Sequence, residues 1–221
     1  MLTQLERVTT SSILTKADVA HLVGLPADAV HRWSARNASG RPSIITQGRR
    51  GHGPNPPTIP LLGLSEASLM KHLTTELKKG PRKVASAVRD AKDDDPYCFA
   101  HEGFYTDGTD TFLSYLGGFE RTKDRQRAIR EVLAPYLRKL NFTDGVLQAF
   151  TVEELPSDRV VIDPRYRSGR PFLESSGVPV FTILDEIEDD VTPAQIAADF
   201  DIAEEVVRDV KRFRRHLAPV A

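Results

Sequence analysis

Apolar residues fall at helical spacing in two short, similar segments near opposite ends of the chain: TKADVAHLVGLPADAVHRW from Thr15 to Trp33, and TPAQIAADFDIAEEVVRDV from Thr192 to Val210. Each opens on a Thr able to cap a helix. Each sets a small Ala (Ala20, Ala197) where two helices would cross and closes its first helix on an apolar residue. A tight turn follows at Gly24 or Asp201, where a left-handed backbone suits glycine and is tolerated less well by aspartate. Leu25 or Ile202 then points inward, and Val30 and Trp33, or Val207 and Val210, seat the second helix. The pattern predicts a helix-turn-helix at each end. Four of nineteen aligned positions are identical, which does not show common descent, and a purely structural helical hairpin would carry the same pattern.

Between these segments the pattern changes several times. The helix through Trp33 is expected to run to Arg36. The tract Gly40–Pro60 holds four Gly and five Pro, with an apolar pair Ile44-Ile45 and a basic turn QGRRGHG. It reads as a wing of one short strand, a loop and a return, although Asn55-Pro56-Pro57 favours a plain linker for its second half. Ser65 is expected to open a helix with Leu69, His72, Leu73 and Leu77 on one face, closed by Gly80, and Pro81 to stand in the first turn of another. The acidic run Asp93–Asp95 ending at Pro96 marks a boundary. Further on, Asp107-Gly108 suits the turn of a β-hairpin between strands at Cys98–Tyr105 and Thr111–Tyr115. An amphipathic helix is expected from Lys123 to Leu140 and a strand at Val146–Val152. The last part reads as a turn-rich strand pair followed by helices at Val180–Ile187, Pro193–Phe200 and Ala203–Leu217. The expected fold class is therefore α+β in three parts. These are a winged helix-turn-helix (1–92), a central β-hairpin with a long amphipathic helix (93–155), and a small helical domain with a short β segment and the second hairpin (156–221).

Composition adds where such a protein would work. With 221 residues and 40% apolar content the chain can bury a real core. No apolar stretch is long enough to span a bilayer, and MLTQLERVTT lacks the basic-then-apolar layout of a signal peptide, so a cytoplasmic protein without a membrane partner is expected. The single cysteine, Cys98, cannot form an internal disulfide. The net charge of −1 conceals an uneven distribution: residues 1–90 carry +7, whereas 91–155 and 156–221 carry −4 each. A basic first part suits a polyanion, and the acidic remainder does not.

The charge asymmetry separates the two hairpins. In the first, the second helix would enter a major groove with Ala27, Asp28, His31, Arg32 and Arg36 facing outward. Arg32 could grip guanine or a phosphate, and Asp28 could accept from cytosine or merely complement the helix dipole. Arg41, Arg49 and Arg50, in the wing tract, would add phosphate or minor-groove contacts. In the second hairpin Glu204 and Glu205 would meet phosphate and repel it, so a structural or protein-binding role is expected there. Enzyme chemistry has thin support. Cys98 and His101 would fall on opposite faces of a strand, no phosphate loop, nucleophile elbow or paired-His spacing occurs, and SGRPFLESSGVPV has serines without a nearby His. No enzyme, metal or cofactor is expected.

These residues carry a family resemblance. DVAHLVGLPADAVHRW resembles the first half of a MerR-like winged helix, and SLMKHLTTELKKGPRKVASAVRDA resembles the helix pair that follows it in that superfamily. The tail resembles a small antitoxin-associated domain through Ile162-Asp163-Pro164, Gly169-Arg170-Pro171-Phe172-Leu173, Gly177-Val178-Pro179-Val180 and the hairpin Thr192–Val210. The combination resembles a VapB-type antitoxin. That resemblance implies a PIN-domain toxin partner, a magnesium-dependent ribonuclease, and repression of its own operon through operator DNA. The wing here is long and Pro-rich, and Gly80-Pro81 interrupts the helix pair, both departures from the pattern. For the toxin, two surfaces compete: Arg212, Arg214 and Arg215, which could neutralise an acidic magnesium site, and the aromatic middle of Phe99, Phe104, Tyr105, Phe112 and Tyr115. A homodimer on two half-sites is expected, because one module binds DNA only modestly. The competing expectation is a MerR-like regulator that senses a small ligand.

Overall fold

Thr3 and Glu6 close a reciprocal capping box that starts α1 (Gln4–Thr9), a helix the apolar pattern did not signal. The structure, a computed structural model, describes residues 3–35, 40–49, 56–76, 80–106 and 133–217. After α1 come β1 (Ser12–Leu14), α2 (Lys16–Val23) and α3 (Ala27–Ser34), then β2 (Ile59–Pro60), α4 (Leu61–Glu76) and α5 (Pro81–Asp94). A short helix α6 (Glu102–Thr106) precedes four strands, β3 (Leu140–Thr143), β4 (Val146–Glu154), β5 (Arg159–Ile162) and β6 (Phe172–Leu173). The chain closes with α7 (Val180–Glu188), α8 (Pro193–Phe200) and α9 (Glu204–Leu217). The fold is α+β, with a two-stranded sheet β1-β2 and a four-stranded antiparallel sheet in the order β3-β4-β5-β6.

Both hairpins form, and they share one turn. Thr15 and Thr192 each close a capping box, with Asp18 and Gln195. Gly24 and Asp201 both take the left-handed conformation, at φ 66° and 51°. The next residue then donates back to the crossing alanine, Leu25 N to Ala20 O at 2.8 Å and Ile202 N to Ala197 O at 3.0 Å. That bond satisfies a carbonyl at the end of the first helix. Val30, Val207 and Val210 are wholly buried, as a seated second helix requires.

The β-hairpin lies elsewhere than expected. Cys98–Ala100 is a 3-10 turn and Glu102–Thr106 is helical, so the strand proposed at Cys98–Tyr105 does not form. Cys98, Phe99 and Ala100 are buried in succession, which a half-exposed alternating strand would not allow. Asp95 starts the turn by accepting from Tyr97 N and Cys98 N. The expected partner strand Thr111–Tyr115 and the turn Asp107-Gly108 lie outside the described residues. The hairpin that does form is β3-β4, turning at Asp144-Gly145 with φ 50° and 73°, the pair of left-handed residues a tight hairpin needs. Of the amphipathic helix, residues 133–137 are helical, but Arg138-Lys139 turn and Leu140 already begins β3.

Two further boundaries moved. α4 begins at Leu61, four residues before Ser65, because Leu61, Leu62 and Leu64 are wholly buried and drive the turn straight off β2. Gly63 there lies so near Thr46 O that an added Cβ would sit 2.6 Å from it. Ile44-Ile45, expected as the strand of a wing, takes no strand pairing and sits in the core at 1% and 0% exposure. The return strand β2 pairs instead with β1, Leu14 opposite Ile59. The buried apolar residues form one cluster from Leu14 to Leu217. α1 rests on β4 through Thr9, whose hydroxyl donates to Leu147 O at 2.5 Å. The tail meets the front of the chain where Gly169, at φ 74°, presses on Ile13; a Cβ there would sit 2.7 Å from Ile13 Cβ.

Candidate nucleic-acid interface

The periodicity of α3 divides it cleanly. Ala29, Val30 and Ser34 are buried against α2 and the core, with Trp33 half-buried beside them. Ala27, Asp28, His31 and Arg32 are exposed, and their spacing of one, three and one puts them on a single outward face. No carboxylate among the described residues forms an ion pair with Arg32. Pro26 precedes the helix without a side-chain cap. Asp28 stands in the first turn, where a carboxylate complements the helix dipole, and Ala29 N already donates to Pro26 O at 2.9 Å.

The segment after α3 is tied to it. Ile45 N donates to Trp33 O at 3.0 Å, and the Gln47 side-chain amide donates to Ser34 O. Two carbonyls at the C-terminal end of α3 are thus satisfied by the tract expected to form the wing. Gly48 N donates to Thr58 O at 3.0 Å, so the tract returns toward β2 from that point. Arg49 stands exposed one residue beyond this clip. Sequence pattern did not signal the clip, since a lone Gln in a Pro/Gly-rich tract has no periodicity.

Arg41 sits differently. Its guanidinium holds Asp90 at 2.5 Å and Asp93 at 2.5 Å, both on α5, and these carboxylates push its already high pKa further up. Arg36 and Arg50 lie outside the described residues. Of the seven residues expected at DNA, Asp28, His31, Arg32 and Arg49 are exposed near α3, and Arg41 is engaged with α5.

At the other hairpin, Glu204 is paired with Arg208 at 2.6 Å along the first turn of α9. Arg208, Lys211, Arg212 and Arg215 follow at helical spacing and are exposed, with Arg214 beside them. Arg212 approaches Asp209 only at 3.9 Å and keeps 71% of its side chain exposed. The buried side of the same helix carries Val206, Val207, Val210 and Leu217. α9 also touches α2, so the two hairpins are in direct contact.

Cys98 is buried and its thiol is pushed up to about 12, chiefly by burial. His101 is partly exposed and lies 3.5 Å from Glu6. Among the described residues no group of three His, Cys, Asp or Glu could hold a metal, and no helix is long and apolar enough to cross a membrane. Of the aromatic middle, Phe99 is wholly buried and stacks edge-on with Phe104 at 4.6 Å, which makes it core; Phe112 and Tyr115 lie outside the described residues.

Residues 160–213 match a family described as "Protein of unknown function (DUF433)". Over 218 residues the chain is 21% identical to the "Putative antitoxin VapB45" of Mycobacterium tuberculosis (strain ATCC 25618 / H37Rv), covering 89% of this chain and 91% of that protein. The fold matches the crystal structure of Rv2018 from Mycobacterium tuberculosis with a TM-score of 0.73 at 19% identity, over 91% of this chain and 98% of the other.

Proposed function

We propose that this chain is the antitoxin of a toxin–antitoxin pair, which holds operator DNA through α3 and neutralises a PIN-domain ribonuclease by direct binding. One observation carries the DNA half: the outward face of α3 bears Asp28, His31 and Arg32, each exposed among the described residues, in a helix-turn-helix whose second helix is clipped to the tract leading to Arg49. In this reading Arg32 contacts guanine or phosphate, His31 and Arg36 contact the backbone, and Arg49 and Arg50 reach phosphates or the minor groove. Asp28 accepts from a cytosine amino group. Arg41 contributes least, because to reach DNA it must leave Asp90 and Asp93. Two copies of the chain bind two half-sites.

The toxin half is supported by likeness to the mycobacterial protein, whose name is that of an antitoxin. Arg212, Arg214 and Arg215 are exposed on α9 and chemically suited to carboxylates that hold a magnesium ion. No catalytic role falls to the chain itself. The test is co-expression with a PIN-domain protein encoded beside it. Co-purification, with the ribonuclease silent in the complex, is expected. Active ribonuclease with no complex would refute the toxin half.

A further inference from the structure

A cleft of about 330 Å³ opens between α2, α4 and β4. Four basic side chains line it: His21 from α2, Lys71 and His72 from α4, and Lys139 just before β3. One carboxylate, Glu153, also lines it. The lining is mixed: Leu22, Pro135 and Val152 add apolar surface beside these polar groups, and His72 is stacked on Tyr136 at 6.3 Å. His21 Nε2 is buried and has no hydrogen-bond partner among the described residues, an uncommon condition for a buried polar atom. A cleft of mixed lining that holds the ammonium groups of Lys71 and Lys139 beside apolar side chains fits a small ligand that is flat, apolar and negatively charged at one end.

One lining residue also belongs to the hairpin turn. Lys71 Nζ donates to Val23 O at 2.7 Å, and the ideal Cβ position of Gly24 lies 3.0 Å from the same nitrogen. Val23 is the last residue of α2, and its carbonyl has no partner further along the helix. An anion in the cleft would compete with that carbonyl for the ammonium. Release of Lys71 would loosen the turn at Gly24, which sets the angle between α2 and α3.

We propose that this cleft binds a small organic anion, a carboxylate on an aromatic or similarly flat apolar body, and that occupancy is transmitted through Lys71 to the turn at Val23–Leu25. The consequence for gene control rests on the DNA-binding reading; the binding itself does not. The test is an NMR titration of backbone amides in the intact chain, with benzoate as probe and inorganic phosphate in parallel, without DNA. Benzoate is expected to give saturable shifts at cleft residues and at the Gly24 and Leu25 amides. Lys71→Gln and Lys139→Gln, both replacing side chains that reach solvent, are each expected to raise its Kd at least tenfold. Absence of saturable binding, or unchanged affinity in both variants, would overturn the site. Phosphate binding as tightly as benzoate would overturn the organic-anion assignment. Binding without movement of the Gly24 and Leu25 amides would overturn the coupling. Since no DNA is present, failure here is distinguishable from failure of the operator reading.

Discussion

The Glu66 carboxylate and the Lys92 ammonium lie 2.6 Å apart in the interior, with side-chain exposures of 0% and 2%. Lys92 also donates to Thr46 Oγ1 at 2.8 Å and to Ile44 O at 3.3 Å. Glu66 accepts in turn from Thr46 N at 2.5 Å and Thr46 Oγ1 at 3.0 Å. The pair therefore joins α4, α5 and the tract that is clipped to the end of α3, so the support behind the candidate interface depends on it.

Removing one partner should be far worse than removing both. Lys92→Met or Glu66→Leu alone leaves an uncompensated buried charge and is expected to cost about 3–5 kcal/mol, whereas the double apolar replacement should cost clearly less. Urea denaturation of the two single variants and the double variant measures this directly. Equal losses for double and single variants would contradict the pairing.

Alkali should weaken the fold. Burial raises the thiol of Cys98 to about 12, and burial likewise raises the hydroxyls of Tyr105 and Tyr136, which lie 3.0 Å apart. In the unfolded chain these groups ionise near roughly pH 8.5 for Cys and pH 10 for Tyr. Their folded values are higher, so their contribution is fully present below about pH 8 and is lost as pH rises toward 12. A falling Tm between about pH 8.5 and 11 is expected, with a smaller fall above pH 8.5 in Cys98→Ala. Slow reaction of native Cys98 with iodoacetamide at neutral pH follows from the same burial.

The shared turn gives an opposed pair of substitutions. Asp201 pays a left-handed backbone cost that glycine would not, so Asp201→Gly is expected to stabilise by about 0.5–1 kcal/mol. Gly24→Asp should destabilise by about 1 kcal/mol or more, since its Cβ would stand 3.0 Å from Lys71 Nζ at φ 66°. Thermal unfolding of both variants tests whether the turns are equivalent.

What could be read from the sequence follows from how local each signal was. The hairpins were legible because Thr caps, a crossing Ala and a turn residue all lie within nineteen positions, and Pro193–Phe200 was placed at both ends by Thr192 and Asp201. The strand at Val146–Val152 was legible from its apolar run. Cys98–Tyr105 misled because its aromatic content suggests a strand, while its contacts with Asp95 and with the buried Tyr136 fix a turn and a helix. Asp144-Gly145 is the same dipeptide as Asp107-Gly108, which lies outside the described residues, and the pairing of β3 with β4 makes Asp144-Gly145 a hairpin turn. Ile44-Ile45 reads as a wing strand by its apolar character, whereas both side chains fill the core and Ile44 O accepts from Lys92. Neither that pair nor the Gln47 clip has a local signal, because each joins residues distant in sequence.

The central claim is that the outward face of α3 reads DNA, and it is tested most directly by fluorescence anisotropy on the duplex upstream of the gene for this chain. Affinity is measured against salt concentration for the unaltered protein and for Arg32→Ala, whose side chain is exposed and whose loss leaves the core untouched. The account predicts that Arg32→Ala weakens binding by about tenfold or more and, if the contact is to phosphate, reduces the slope of log K against log salt by about 1. Unchanged affinity and unchanged slope would contradict it.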